Sequence, residues 1–322
     1  MFSLFPVHRP RIGISVRARA LDLVEIRHRW GRLPLVRRLR SRPLPPGLLT
    51  PSCTMPNVSD HETCVRELQA LLEGVRERMV AIDLPIASGT LGLFHFETFL
   101  KSRVEQDALL RWRFRQEEHV VANDLHVVSQ VFESCEQGNP ATSVSVLAVA
   151  IRQSVVDQYH RVCEAAGLLP VSMGFSTLHL IDLYRRVMPA TSEAFFAHRT
   201  AEALLVLAFR NGRPVFLRVK PLRRANVELK SELISTLQFF DSQFPHRSTS
   251  SGAACSPLYL VDEGSPSAKV GTSASPEVWT PTETPDWTVE VTRVNWSTAP
   301  IASTLSVTEP PPFGALAGVL TS

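Results

Sequence analysis

Three side chains near the middle of the sequence, His119, Asp124 and His126, are of the types that ligate metal ions. Their spacing matches no established ligand pattern, and histidines beside a strand account for them. Glu117 and Glu118 supply adjacent carboxylates. Neighbours on a helix point about 100° apart, so the pair reads as a solvated helix end rather than an acid–base couple. Gly174-Phe175-Ser176-Thr177 starts like a nucleophile turn but lacks the second glycine such a turn needs. Trp112 and Phe114 stand among Arg103, Arg111, Arg113 and Arg115, a mixture used by surfaces that stack single-stranded nucleic acid. The better reading makes Trp112 a core anchor of a helix. On these grounds no catalytic residue, metal or nucleic-acid partner is expected.

The elements that would position such groups are easier to read. Ser143–Ile151 is an unbroken aliphatic run, the pattern of a buried strand. Val155, Val156, Tyr159, Val162, Cys163 and Ala166 then recur at helical spacing, and Gly167 and Pro170 end that helix. Val171–Phe175 reads as a short strand. Ser176 or Thr177 can cap the next helix, whose face is Leu180, Ile181, Tyr184 and Val187. Glu193–Ala197, Ala203–Phe209 and Pro214–Val219 read as strands, the last two joined by the hairpin signal Asn211-Gly212.

Before this stretch, Arg11–Val16, Leu21–Ile26 and Leu33–Leu39 read as strands, followed by a loop with five prolines between Pro43 and Asn57. Ser59-Asp60-His61-Glu62 reads as a capping box for a helix with Val65, Leu68, Leu71, Leu72 and Val75 on one face. Met79–Leu84 is a strand, and Phe94 and Phe96 are strand-like. Glu97–Arg115 reads as a helix with Val104, Leu109 and Trp112 inward, followed by a strand over Asp124–Phe132. After Pro221 comes a helix with Leu229, Leu233, Ile234, Leu237, Phe240 and Phe244 on one face. Pro257–Val261 and Thr288–Val294 read as strands, and Gly264–Pro285 as a flexible Ser/Thr/Pro-rich segment.

With 322 residues, 44% of them apolar, the chain can bury two domains or one large one. A net charge of +3 selects no partner. The charge is uneven, because eleven arginines lie between Met1 and Arg42 against only Asp22 and Glu25. An anionic partner surface is one reading. A solvated arginine-rich surface is the other, favoured because the arginines interrupt strand-like segments. Five scattered cysteines without Cys-x-x-Cys suit a reducing compartment. No signal peptide and no run long enough to span a bilayer is visible, so a cytoplasmic location is expected.

Three segments carry a resemblance. They are Ile12-Gly13-Ile14-Ser15-Val16-Arg17 running to Ile26, Glu164-Ala165-Ala166-Gly167-Leu168-Leu169-Pro170, and Asn211-Gly212-Arg213-Pro214-Val215-Phe216-Leu217-Arg218. In order and spacing the chain resembles the type IV pilus assembly protein PilM family of the actin-like ATPase superfamily, with gaps, from about Arg11 to Leu320. The resemblance implies an α/β, two-lobed actin-like (ribonuclease H-like) fold with a small α+β subdomain inserted in the first lobe. It assigns 1–90 and 152–189 to the first lobe, 91–151 to the insertion and 190–322 to the second lobe, with 264–285 flexible. It also implies a closing helix over Pro310–Leu320.

Family members that bind nucleotide use three loops, and the matching positions here lack their features. Ser15 stands where the loop's Asp would be and Arg17 where its Gly would be; a long side chain there blocks backbone approach to phosphate. Ala197 and His198 replace the second loop's Asp-x-Gly, leaving Thr200 as the one matching hydroxyl. Asp262 and Glu263 precede Gly264, the one glycine left of a pair. No cofactor is therefore expected; ATP and magnesium would belong only to the alternative of a working actin-like ATPase. The resemblance implies a non-catalytic scaffold of a type IV pilus machine, peripheral at the inner membrane through its partner. That partner would be the cytoplasmic tail of a PilN-type inner-membrane protein, with pilus motor ATPases as further partners. A GspL-like component of type II secretion is the second alternative. The tail's groove is expected between Met79–Leu84 and the Glu97–Arg115 helix, with Phe99, Arg103, Leu110 and Arg111 on it.

Overall fold

The computed structural model describes residues 10–29, 32–117, 124–133, 144–185, 193–222, 228–244, 254–263, 277–279, 281, 287–293 and 302–303. Strands β1 (Ile12–Arg17), β2 (Ala20–Arg29) and β3 (Arg32–Pro43) form an antiparallel meander. β1 is buried almost throughout, which its aliphatic composition permits. Helix α1 (His61–Leu71) is capped by Asp60, whose carboxylate accepts the Thr63 N–H at 3.1 Å and the Thr63 hydroxyl at 2.7 Å. The cap is thus one residue later than the Ser59 box expected from sequence. The Ser59 hydroxyl is instead engaged by the carbonyls of Gly47 and Leu48.

The last turn of α1 carries no basic residue of its own. The carbonyls at its end and just beyond it are met by β3. Arg40 donates to the Leu71 carbonyl at 3.1 Å and to that of Glu73, Arg38 donates to the Gly74 carbonyl at 3.0 Å, and Arg42 pairs with Glu67 at 2.5 Å. Part of the arginine-rich run therefore clasps strand to helix, a use that neither reading of the run included. Strand β4 (Met79–Leu84) then pairs in parallel with β1.

β5 (Thr90–Phe96), α2 (Arg103–Glu117), β6 (Leu125–Glu133) and β7 (Val144–Arg152) follow, the strands forming a separate antiparallel sheet in the order β5-β7-β6. α2 covers one face with Leu110 and Phe114, and the Phe114 ring meets Phe94 edge-on at 5.1 Å. Gly92 makes room for this, since a Cβ there would lie 2.5 Å from the Phe94 ring. The expected phase of this helix is wrong. Val104 and Trp112 face solvent and Leu109 is half-buried, while Leu110 and Phe114 are the core pair. Its start is also later than expected, because residues 97–102 form the bend in which Phe99 packs on Phe96.

α3 (Gln153–Ala165) buries Val155, Tyr159, Val162 and Cys163, and Gly167 at φ 78 ends it. Burial pushes the Cys64 thiol up to about 11 and that of Cys163 up to about 12, which leaves both as packing groups. β8 (Leu169–Phe175) pairs in parallel with β4 and leads into α4 (Ser176–Arg185), which buries Leu180, Ile181 and Tyr184. Val187 lies outside the described residues.

β9 (Glu193–Arg199), β10 (Ala203–Arg210) and β11 (Arg213–Pro221) are antiparallel, and Asn211 and Gly212 turn the hairpin with φ of 51 and 73. α5 (Leu229–Gln243) lays Leu233, Leu237 and Phe240 on this sheet. β12 (Ala254–Asp262) runs parallel to β9, with β14 (Trp287–Arg293) beside it and β13 (Glu277–Trp279) at the edge. β13 corrects the flexible reading of 264–285 over three residues, because Trp279 is buried against α5's cluster. Pro281 accepts a hydrogen bond from Gln238 at 2.6 Å. Residues 264–276, 280 and 282–285, and the expected closing helix, lie outside the described residues. β15 (Ala302–Ser303) returns to β3.

The first sheet runs β15-β3-β2-β1-β4-β8 and the second β11-β10-β9-β12-β14-β13. Phe196, Leu205, Leu207, Phe209 and Val261 of the second sheet join the core of the first, so apolar packing holds the lobes together.

Candidate functional site

The positions that the sequence assigns to nucleotide loops do meet, at the junction of the two sheets. In the first lobe, the parallel register sets Ser15 opposite Asp83, and the Ser15 hydroxyl donates to the buried Asp83 carboxylate at 2.8 Å. His179 Nδ1 approaches the other oxygen at 3.1 Å. Arg17 pairs with buried Asp22 at 2.5 Å. In the second lobe, Arg199 pairs with Asp262 at 2.7 Å, and Glu263 donates its backbone N–H to the Arg199 carbonyl at 2.8 Å. The lobes are joined by Thr177 and His198, whose hydroxyl and Nδ1 are 2.8 Å apart, and His198 Nε2 lies 3.5 Å from the Glu263 carboxylate.

The network is paired mainly by charge, since both Asp22 carboxylate oxygens and His198 Nε2 lack a hydrogen-bond partner among the described residues. Burial raises the Asp83 carboxyl above its usual range, only partly offset by His179 and Ser15. Burial pushes Glu263 upward too, but the hydrogen bond and charge of His198, with Arg17, hold its carboxyl below the usual range. Thr200 is spent on a turn, where its hydroxyl receives the Ala203 N–H at 3.1 Å. Ala197 is wholly inside the sheet, and Gly264 lies outside the described residues. Two carboxylates, Asp83 and Glu263, and two histidines, His179 and His198, therefore stand at the junction of the two sheets. The Asp83–His179 couple has the form of an oriented base. His179 Nε2 lies close to Gly174, where a Cβ would stand 2.2 Å away, and both residues border the open cavity beside β6.

The second concavity is of another kind. About 320 Å³ lies open between the sheet of β5, β6 and β7 and the first lobe. β6 and β7 line it with His126, Val128, Gln130, Phe132, Leu147 and Val149, while Leu84, Val156, Met173, Leu178 and Ile181 form the facing wall. Among the described residues both β6 and β8, which flank it, are the edge strands of their sheets. Apolar walls, a few polar groups and two open strand edges suit an extended apolar peptide.

None of the four residues expected on a groove lines this cavity. α2 packs on the opposite face of the β5-β7-β6 sheet. Leu110 is 1% exposed and belongs to the core, which corrects its assignment as a surface anchor. Phe99 is half-buried against Phe96, Arg103 is exposed at the helix start, and Arg111 pairs with Asp107 at 2.9 Å. The Met79–Leu84 strand contributes Leu84 alone. Both β6 and α4 were expected as elements but not as walls of the groove, although the alternation of His126, Val128, Gln130 and Phe132 against Leu125 and Val127 marks a strand lined on both faces. His119 and Glu118 lie outside the described residues. Among the described residues no cluster of metal-ligating side chains occurs, and no helix is long and apolar enough to cross a membrane.

No protein-family model matches the chain, and no curated protein matches it in sequence. Solved structures do match. A chain of a PilM–PilN type IV pilus biogenesis complex is 21% identical, with 97% of this chain and 99% of that one covered at a TM-score of 0.70. The cytoplasmic domain of EpsL, an inner-membrane component of the type II secretion system of Vibrio cholerae, is 11% identical over 97% of this chain and 94% of that one, at 0.43. A Bacteroides thetaiotaomicron protein of unknown function with an actin-like ATPase fold is 12% identical over 81% and 85%, at 0.42. The chain thus shares the α/β fold, built on two six-stranded sheets, of the matched chain of the PilM–PilN complex.

Proposed function

We propose that this protein is a non-catalytic scaffold of a type IV pilus assembly machine, capturing the cytoplasmic tail of a PilN-type inner-membrane partner in the cavity beside β6. The observation that carries this reading is the open, largely apolar cavity of about 320 Å³ between two strands that are sheet edges among the described residues, in a chain that shares the fold of a chain of a PilM–PilN complex. The self-paired charges between the lobes support the non-catalytic part, since a nucleotide would have to displace Glu263 from His198 and expose buried Asp83. A disordered tail gives up freedom on docking, so its affinity is on the order of micromolar.

The test is fluorescence anisotropy with a labelled peptide of the partner's cytoplasmic residues, against wild-type protein and Leu178→Arg. Leu178 is half-buried on the cavity wall, so an arginine there blocks the cavity. Saturable micromolar binding that Leu178→Arg abolishes supports the proposal. Binding by a folded Leu178→Arg protein overturns it.

A further inference from the structure

The outer face of α2 is unexplained by the packing below it. Leu110 and Phe114 fix the inner face, yet Val104 is 80% exposed and Trp112 52% exposed. Leu100, in the bend before the helix, is 41% exposed and its carbonyl is tied to Gln106 at 2.5 Å. Leu100, Val104, Ala108 and Trp112 follow one another at intervals of four, a single outward stripe. Lys101 and Arg103 stand at one end of it and Arg115 at the other, all exposed.

The charges on the helix are sorted. Asp107 is matched by Arg111 at 2.9 Å and Glu117 by Arg113. The Arg113 guanidinium also lies 5.9 Å from the Trp112 ring and 5.1 Å from Phe96. Among the described residues no ion pair is recorded for Lys101, Arg103 or Arg115. Glu105 shares the exposed face, in the first turn where the helix dipole favours it. The surface therefore offers a thin apolar line, an indole and three free cations.

We infer that α2 docks on an anionic phospholipid surface. A protein groove that takes a helix asks for large anchors at i, i+3, i+4 and i+7, and this stripe has alanine at its centre. Trp and Val sunk to headgroup depth, with Lys and Arg beside the phosphates, is the arrangement that interfacial helices use. Because α2 lies on the face of the sheet opposite the cavity, lipid contact and tail capture do not compete, and two weak contacts reinforce each other.

Flotation of the full chain with vesicles tests this. Wild-type protein is expected to float with phosphatidylcholine vesicles containing phosphatidylglycerol, to stay behind with pure phosphatidylcholine, and to be released by high salt. Changing Lys101, Arg103 and Arg115 together to glutamate should weaken binding on the order of a hundredfold or more. Trp112→Ala should weaken it less, with melting temperature unchanged in both. The charge variant touches no packed side chain, so it stays informative even if Trp112→Ala fails to fold. Equal binding to neutral vesicles, no flotation of wild type, or full binding by the folded charge variant overturns the inference, as does capture of a protein helix by this face with no lipid binding.

Discussion

Between the lobes, side chains of opposite charge and two imidazoles fill the space; beneath the β5-β7-β6 sheet, apolar walls leave about 320 Å³ open. Both concavities sit where layers of the fold meet, and both are reached by α4. Thr177 points to His198 of the second lobe, Leu178 and Ile181 line the cavity, and His179 borders the cavity while its Nδ1 meets Asp83. The difference lies in what each offers a visitor. A ligand entering the cleft must replace contacts already made, each of which costs free energy to break. A ligand entering the cavity covers apolar surface that nothing else covers. The proposed function assigns binding to the cavity and structural work to the cleft.

The comparison breaks most readily at the cavity. Val128 is 60% exposed on an edge strand and faces the open space. Val128→Glu should cost about 2–4 kcal/mol of tail affinity, a hundredfold loss or so, by leaving a charge unpaired in an apolar site. Its stability should stay within about 0.5 kcal/mol of wild type, as for most surface changes. Titration of the labelled tail, with a melting curve beside it, reads both.

In the cleft the expectation reverses. His198→Ala strands the Glu263 carboxylate, and since that side chain keeps 21% exposure the cost is about 2–3 kcal/mol of stability rather than the full value for a buried pair. Tail affinity should remain within about twofold. Chemical denaturation measures the first and anisotropy the second. A large loss of affinity without loss of stability would mean that the two concavities are not separable.

The cleft carboxylates should also leave opposite marks on stability against pH. Glu263 has its carboxyl lowered from 4.5, so its contribution is present above 4.5 and fades as pH falls through its folded value. Asp83 is raised from 3.8, so its contribution is full below 3.8 and is lost as pH rises through its folded value. Melting curves across the acid range should show a shallower acid limb for Glu263→Gln and a gain at neutral pH for Asp83→Asn. Identical profiles for both variants would contradict the assigned environments.

The smallest expected effect is none. Millimolar ATP with magnesium should leave the melting temperature unmoved. A ligand at about 100 times its Kd would add about 2.7 kcal/mol, a shift of several degrees that differential scanning fluorimetry resolves. A saturable shift of that size would restore the cleft as a binding site.

Strands whose apolar runs are long or whose turns are marked were legible in the sequence. β7, the β10–β11 hairpin at Asn211-Gly212 and the face of α3 follow from local pattern. α2 was not, because a helix that buries only Leu110 and Phe114 beneath a surface of arginines gives a weak period, and Trp112 draws the eye to the wrong face. The cleft was half legible. Ser15, Arg17, His198 and Glu263 were marked as departures from a phosphate site, but the partners Asp83, Thr177 and His179 are brought to them by parallel strand register and by α4. The cavity left no local trace except the two-sided alternation of β6, since its walls come from separate elements.

β15 pairs Ala302 and Ser303 with Leu35 and Val36 of β3. A ribosome delivers the chain from its amino end, so β1 to β4 emerge long before their outermost neighbour does. The first sheet spends most of synthesis with β3 as a bare edge, and an exposed edge is a template for pairing with other chains. The β5-β7-β6 sheet, α3 and the strands of the second sheet must be made before that edge is covered. Closing so long a loop is slow relative to local hairpins, so the order of synthesis makes the nascent first lobe the stretch most in need of protection from its neighbours.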